Sequence, residues 1–381
     1  MLEDEKNVTI IHAGDKPYLV PHYRVGMLNY LDRFLRPYGY KLEVVAGGIQ
    51  RDNPHAIHFA YVPMRLTLTT ICKYLHSTMP AVLVPCAYLK NLWLFPMLIA
   101  AKALGIRVVY WGHGRDLQDK RNHLKNMAYI VEHFMVDGII LYAEHLKQYV
   151  PRCLHQKVFI ANNTLDTSLY DNVLLDREAT KAKYGIKTSR NIICMGRFER
   201  RKRVQDLVGA FKGLRRDDVG LVLAGPDSDG LLQSIEHPRI YKTGAVYGEA
   251  AIQLLSACDV YCLPGAVGLS IVDAFYCGLP LVTEEGIDHG PEIMYLKPGV
   301  NGFMVPKGDT QALAEKLELL LHDDQLRQQF SRNARREIAT NGHISTFAKG
   351  FLAALDYVSG VDRGGPQQVD VVKTGNLDKC G

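Results

Sequence analysis

No two cysteines of this chain stand in Cys-x-x-Cys spacing, and no zinc-ligand pattern of Cys and His occurs. Redox and zinc-ribbon chemistry therefore have no sequence support. No long apolar run is present either. The longest, Leu92 to Ala101, contains Pro96 and ends at Lys102, about half of what a membrane-spanning helix needs. The start, MLEDEKN, is acidic and lacks the basic n-region of a signal peptide. The first apolar strand is not followed by Gly-x-Gly-x-x-Gly, which argues against a NAD-dependent oxidoreductase. No nucleic-acid-binding module is recognisable, so no nucleic-acid partner is expected. The eight cysteines mostly sit in apolar runs such as NIICMG and DVYCLPG, where a thiol packs as a small hydrophobe. A reducing cytoplasm is the expected compartment.

What is present is an ordinary globular composition. The chain has 381 residues, 47% hydrophobic and 22% charged, with 45 basic and 40 acidic side chains. That length suggests two domains, and the charge is divided between two parts. Residues 1–165 carry 19 Lys/Arg and 12 Asp/Glu, a balance of +7, and the rest carries 26 and 28, a balance of −2. Ten of the fourteen histidines also lie in the first part. Its apolar stretch Leu92, Trp93, Leu94 and Phe95, near Lys120, Arg121, His123 and Lys125, offers a surface for an anionic membrane or, more plainly, a buried helix beside a solvated face.

Short apolar, β-branched runs alternate with helical spacing along most of the chain. They are Val8–His12, Leu42–Val45, Ala56–Tyr61, Ala81–Cys86, Arg107–Trp111, Gly138–Tyr142 and Val158–Ala161, then Asn191–Met195, Gly220–Ala224, Arg239–Thr243, Asp259–Leu263, Leu281–Thr283 and Gly302–Val305. Strands apolar almost throughout and separated by helices predict parallel sheets covered on both faces. The pattern occurs twice, which predicts two doubly wound α/β domains. The break falls between Asn163 and Ser189. This divides the chain into residues 1–165, residues 166–342, a helix over 343–358 that closes the second domain or crosses back onto the first, and a loose tail over 360–381.

Two segments carry candidate chemistry. In LPGAVGLSIVDAFYCGLPLVT a strand ends at Leu263 and a helix begins near Leu269. The N–H groups of Gly268, Leu269 and Ser270 would then form an anion site, with Asp273 one turn further in. In CMGRFERRKR, Arg197 and Lys202 suit a diphosphate, one by fork geometry and one as a point charge. The bland alternatives are a plain strand-turn-helix and a solvated basic face. Asp227-Ser228-Asp229 has the look of a Mn²⁺-nucleotide motif but reads as a turn. His55 and His58 have His-x-x-His spacing without further ligands, so no metal site is expected.

Together these segments resemble the retaining glycosyltransferases of family 4, which have the GT-B fold of two facing Rossmann-like domains. The resemblance runs through MGRFERRK, LVLAGPDSDG, YKTGAVYGEAAIQLLSACDVYCLPGAVGLSIVDAFYCGLPLV, HGPEI and PGVNGFMVP, with IANNTLDTSLY as the hinge element and VVYWGHG upstream. It implies that Arg197 and Lys202 neutralise a leaving diphosphate, and that Gly196, Gly225, Gly268, Leu269 and Ser270 lie on the donor side. Asp273 replaces the second glutamate of the E-x7-E motif, the ribose ligand. Where the first glutamate belongs, the chain has Gly265. His113 matches a histidine beside the donor sugar. Arg24 and Gly26, in the first strand-to-helix connection, and Glu292, in HGPEI, are candidate phosphate or acceptor contacts.

The implied function is a metal-independent, retaining transfer of sugar from a nucleotide-diphospho-sugar to a saccharide or lipid-linked saccharide, in polysaccharide or glycoconjugate synthesis. It needs no cofactor, and a cytoplasmic, peripheral-membrane setting is implied. A non-catalytic nucleotide-sugar or glycan-binding protein, or another GT-B enzyme such as a nucleotide-sugar epimerase, is the alternative.

Overall fold

The computed structural model describes residues 5–14, 17–50, 55–87, 89–117 and 122–363. Lys120 and Arg121 of the basic segment, and residues 364–381 of the expected tail, lie outside the described residues. The first sheet contains β1 (Lys6–Ala13), β2 (Tyr40–Ala46), β3 (Ala60–Pro63), β4 (Val82–Ala87), β5 (Arg107–Gly112), β6 (Gly138–Leu141) and β7 (Val158–Ile160). Its order is β3-β2-β1-β4-β5-β6-β7, all parallel. The second sheet contains β8 (Arg190–Met195), β9 (Val219–Ala224), β10 (Ile240–Gly244), β11 (Val260–Cys262), β12 (Leu281–Glu284) and β13 (Gly302–Val305). Its order is β10-β9-β8-β11-β12-β13, again parallel.

Both sheets therefore reverse their winding beside their first strand. The carboxyl ends of β1 and β4, and of β8 and β11, flank the two crevices in which doubly wound sheets bind ligands. The central strands are buried along nearly their whole length, as in β1 and β9, because helices cover both faces.

The first sheet carries α1 (His22–Leu35), α2 (Leu68–Thr78), α3 (Leu94–Ala103) and α4 (His123–Met135). The second carries α5 (Arg177–Lys183), α6 (Val204–Lys212), α7 (Glu249–Ser256), α8 (Ser270–Tyr276), α9 (Thr310–His322) and α10 (Asp324–Thr340). The last helix, α11 (Ile344–Ser359), returns to the first sheet. Phe347 and Phe351 lie against Trp111, with ring centroids 5.9 and 5.4 Å away. The Tyr40 hydroxyl donates to Asp356 at 2.9 Å. The return is close: a Cβ on Gly350 would stand 1.9 Å from the Ile160 carbonyl oxygen.

Three details depart from expectation. The strand expected over Ala56–Tyr61 begins only at Ala60. Asn29 takes the edge groups before it, donating to the Ala56 carbonyl at 2.8 Å and accepting from the His58 N–H at 2.7 Å. A two-residue parallel pair, Leu19–Val20 with Gly48–Ile49, was not expected. The apolar surface also differs. Trp93 and Leu94 are buried, and of that quartet only Leu92 is fully open, at 90% exposure. The larger exposed apolar face belongs to α4, where Leu124, Met127, Val131 and Phe134 point outward and Tyr129, Glu132 and His133 point into the protein.

Candidate nucleotide-sugar site

Five residues of the second domain are set by backbone geometry at its crevice. Gly196 follows β8 with φ +140°, and Gly225 follows β9 with φ +146°. A Cβ on Gly225 would stand 1.9 Å from the Gly196 carbonyl oxygen, so two neighbouring strand ends approach as only glycine allows. Leu269 caps the start of α8. Among the described residues, the N–H groups of Gly268 and Leu269 donate to no atom of the chain, and the Cβ position of Gly268 faces open space. The Ser270 hydroxyl turns inward, where the Tyr261 hydroxyl links it (2.8 Å) to the Met195 carbonyl (2.9 Å). That contact ties the start of α8 to the end of β8.

Asp273 lies within the first turn of α8. One carboxylate oxygen is buried without a hydrogen-bond partner, and burial, with the Tyr170 hydroxyl against it, leaves its pKa raised to about 7. Past the ends of β9 and β10, Gly225, Pro226, Asp227, Leu232, Lys242 and Gly244 line an open cavity of about 290 Å³. Asp227 is occupied with its own turn, accepting from the N–H groups of Leu231 (2.7 Å) and Leu232 (2.9 Å). Among the described residues no three His, Cys, Asp or Glu side chains gather to hold a metal ion.

The basic run divides by environment. Arg197 is exposed at 71% and pairs with Glu199 at 3.6 Å. Arg201 pairs with the same carboxylate at 2.6 Å, and Arg203 pairs with buried Glu284 at 2.7 Å. Lys202 also turns inward and donates to the Ala266 carbonyl. Burial, reinforced by the Arg201 charge, lowers its pKa to about 8. Gly265 explains its placement. The Gly265 N–H donates to the Lys202 carbonyl at 3.0 Å and the Ala266 N–H to the Arg201 carbonyl at 2.9 Å. A Cβ at 265 would fall 2.1 Å from the Arg201 oxygen. The glycine lets the two turns dock backbone to backbone, which leaves no room there for a glutamate.

On the first domain, the site residues come from strand ends and from α1. His113 follows β5, with its ring 4.8 Å from that of Tyr142. Burial and the charge of Arg24 lower its pKa to about 4, so it is neutral at physiological pH. Arg24 and Gly26, expected in a connecting loop, lie instead inside α1. Gly26 is buried, its Cβ position 3.2 Å from Leu169 and 3.7 Å from Asp166, so it packs against the hinge and faces no ligand. Arg24 lies over the Trp111 ring at 4.7 Å and donates to the Tyr142 hydroxyl at 2.7 Å. Glu292 is buried and accepts from Asn163, joining the second domain to the hinge. Burial raises its pKa, while Arg24 and Lys202 both pull it down, so these two cations approach one carboxylate from opposite domains. His12, Trp111 and Tyr142 also belong to this constellation and were missed in the sequence, where they read as ordinary core residues of apolar strands.

Residues 176–337 match the family model described as glycosyl transferases group 1. The match falls within the second domain. Within the group 1 glycosyl transferases, a 156-residue stretch is 31% identical to the phosphatidyl-myo-inositol mannosyltransferase of Mycobacterium leprae (strain TN), covering 38% of this chain and 40% of that protein. The chain spans between 29% and 50% of the length of the curated relatives it matches. The whole chain shares its GT-B fold with solved structures. Anabaena Alr3699/HepE in complex with UDP-glucose superposes with a TM-score of 0.68 at 16% identity, over 92% of this chain and 99% of that one. A glycosyltransferase from Rickettsia africae ESF-5 superposes with a TM-score of 0.73 at 14% identity, over 93% and 99%.

Proposed function

We propose that this protein transfers a sugar from a nucleotide-diphospho-sugar, bound mainly by the second domain, to a saccharide or lipid-linked saccharide bound mainly by the first. The observation that carries the reading is the joint placement of an inward ammonium, Lys202, two unbonded amides at Gly268 and Leu269, and the half-unpartnered carboxylate of Asp273. The transfer breaks the bond from the sugar's anomeric carbon to the diphosphate oxygen and forms one to the acceptor oxygen, which gives up its proton. Charge then collects on the diphosphate. Lys202 is mostly protonated at pH 7, and a preorganised cation with fixed N–H donors is what stabilises such a leaving group. Arg197 adds a second cation at the open rim.

Asp273 is placed to accept from the ribose hydroxyls, and the cavity at Gly225 to hold the base. UDP as the nucleotide draws support from the HepE complex. Neutral His113 faces the sugar from the first domain. Retention of anomeric configuration and independence of metal and cofactor belong to this reading. So do a role in polysaccharide or glycoconjugate synthesis and a cytoplasmic, peripheral-membrane setting. The outward apolar face of α4, on the more basic domain, supports contact with anionic lipid. No helix among the described residues is long and apolar enough to cross a membrane.

The experiment is product analysis with UDP-sugars and a panel of acceptors, with wild-type protein and Lys202→Ala. Acceptor-dependent transfer that falls about 10²- to 10³-fold in the variant is expected. Nucleotide-sugar binding without transfer to any acceptor would favour a binding protein, and conversion of the sugar without acceptor would favour an epimerase.

A further inference from the structure

A buried cation without a counter-charge is costly, and such a group is kept either by a partner inside the fold or by a ligand. Among the described residues Arg24 has no salt bridge, and the carboxylate that feels its charge, Glu292, is engaged by Asn163. Its Nη2 donates to the Tyr142 hydroxyl at 2.7 Å, while its Nη1 is buried with no hydrogen-bond partner. Besides Glu292, the groups around it are the neutral side chains of Tyr142, Cys86 and Tyr23. Two more nitrogens of the same wall, Nδ1 of His12 and Nε1 of Trp111, are also buried without partners. His12 ends β1 and Trp111 lies near the end of β5, so these nitrogens gather at the crevice of the first domain, where its sheet reverses. Burial and the Arg24 charge keep His12 uncharged. The wall thus carries one fixed positive charge and unused donor capacity, while Glu292, the carboxylate that feels this charge, is held by Asn163 and pushed toward its neutral form by burial.

The donor diphosphate does not account for this wall. Its cations and amides, Lys202, Gly268 and Leu269, are on the other domain. We propose that Arg24, with Trp111 and His12 beside it, binds an oxyanion carried by the acceptor, so that the acceptor is an acidic saccharide or a phosphate-bearing one. The inference rests on the donor-and-acceptor division made under Proposed function and deepens it by giving the acceptor a charge. A guanidinium takes carboxylate and phosphate alike by its fork of N–H groups. Arg24 is here a specificity-determining residue and not a participant in bond breaking.

The test titrates the full chain, with and without saturating UDP, with glucuronic acid, glycerol phosphate and glucose, and reads binding by calorimetry or ligand-observed NMR. Wild-type protein should bind one of the two anions at least about tenfold more tightly than glucose. Which anion it prefers distinguishes a uronic-acid acceptor from a phosphate-bearing one. Arg24→Gln should abolish the preference without weakening UDP, and Arg24→Lys should retain part of it, with circular dichroism confirming that both fold. Equal affinity for anions and glucose in the wild type would overturn the proposal. So would an Arg24→Gln variant that loses UDP affinity by the same factor, because Arg24 would then serve the donor. Failure to bind any UDP would overturn the donor assignment instead, and the titrations without UDP still read the anion preference.

Discussion

Lys202 is expected to cost this protein stability in exchange for its place beside the diphosphate, and the size of that cost follows from its burial. An ammonium whose pKa falls from 10.5 in the open chain to about 8 in the folded one disfavours folding by about 3 kcal/mol at pH 7. The sign follows from proton binding. Below pH 8 both states hold the proton and the full penalty applies. Between pH 8 and 10.5 the unfolded chain still holds a proton that the folded chain has released, so folding gains as pH rises. Above 10.5 the penalty is gone. At pH 9.5 about 1.4 kcal/mol remains. Lys202→Met keeps the stem and removes the charge, but it also deprives the Ala266 carbonyl of its donor, a loss of about 1 kcal/mol. The variant should therefore be more stable than wild type by about 2 kcal/mol at pH 7 and nearly equal to it at pH 9.5, while transfer falls by orders of magnitude. Urea unfolding followed by circular dichroism at the two pH values measures this. A variant less stable than wild type at pH 7, or a difference that ignores pH, would refute the reasoning.

Asp273 should make nucleotide binding pH-dependent. With its pKa raised to about 7, its ionised fraction rises from about a tenth at pH 6 to about nine-tenths at pH 8, so UDP affinity should rise several-fold over that range and Asp273→Asn should flatten the curve in calorimetry. Gly225→Ala places a methyl against the Gly196 carbonyl at a φ of +146°, and a loss of about 2–4 kcal/mol is expected in thermal unfolding. Leu124→Ser combined with Phe134→Ser should reduce sedimentation with vesicles containing 30% phosphatidylglycerol by about tenfold or more; unchanged binding would remove α4 from the membrane reading.

The sheets were legible because parallel strands buried on two faces are near-continuous apolar runs, as in NIICM and LVLA, and such runs resist confusion with amphipathic helices. Legibility failed where local chemistry overrides pattern. At Ala56 to His58 a single asparagine side chain takes the hydrogen bonds a neighbouring strand would have supplied. Arg24 and Gly26 are expected in a loop because the resembled family has one in its first strand-to-helix connection. Pro21 in fact stands at the N-cap of α1, and the apolar spacing of Val25, Leu28, Leu31 and Leu35 was the signal for that helix. On the second domain, the residues singled out lie close together in sequence and in space, so short motifs were enough. The first-domain wall draws His12, Arg24 and Trp111 from three separate elements, with Tyr142 just past β6, and the feature the first three share, unpartnered buried nitrogens, exists only once the chain is folded.

The docking of Gly265 on the 201–202 turn also bears on how this chain can change. The glutamate of the E-x7-E motif cannot be introduced at 265 by one substitution, since its first side-chain carbon would collide with the backbone that holds Lys202. A side chain at 265 requires the 200–203 turn to be rebuilt first, after which the position becomes free to vary. In a library built for altered donors, the turn and the glycine are a single unit of inheritance.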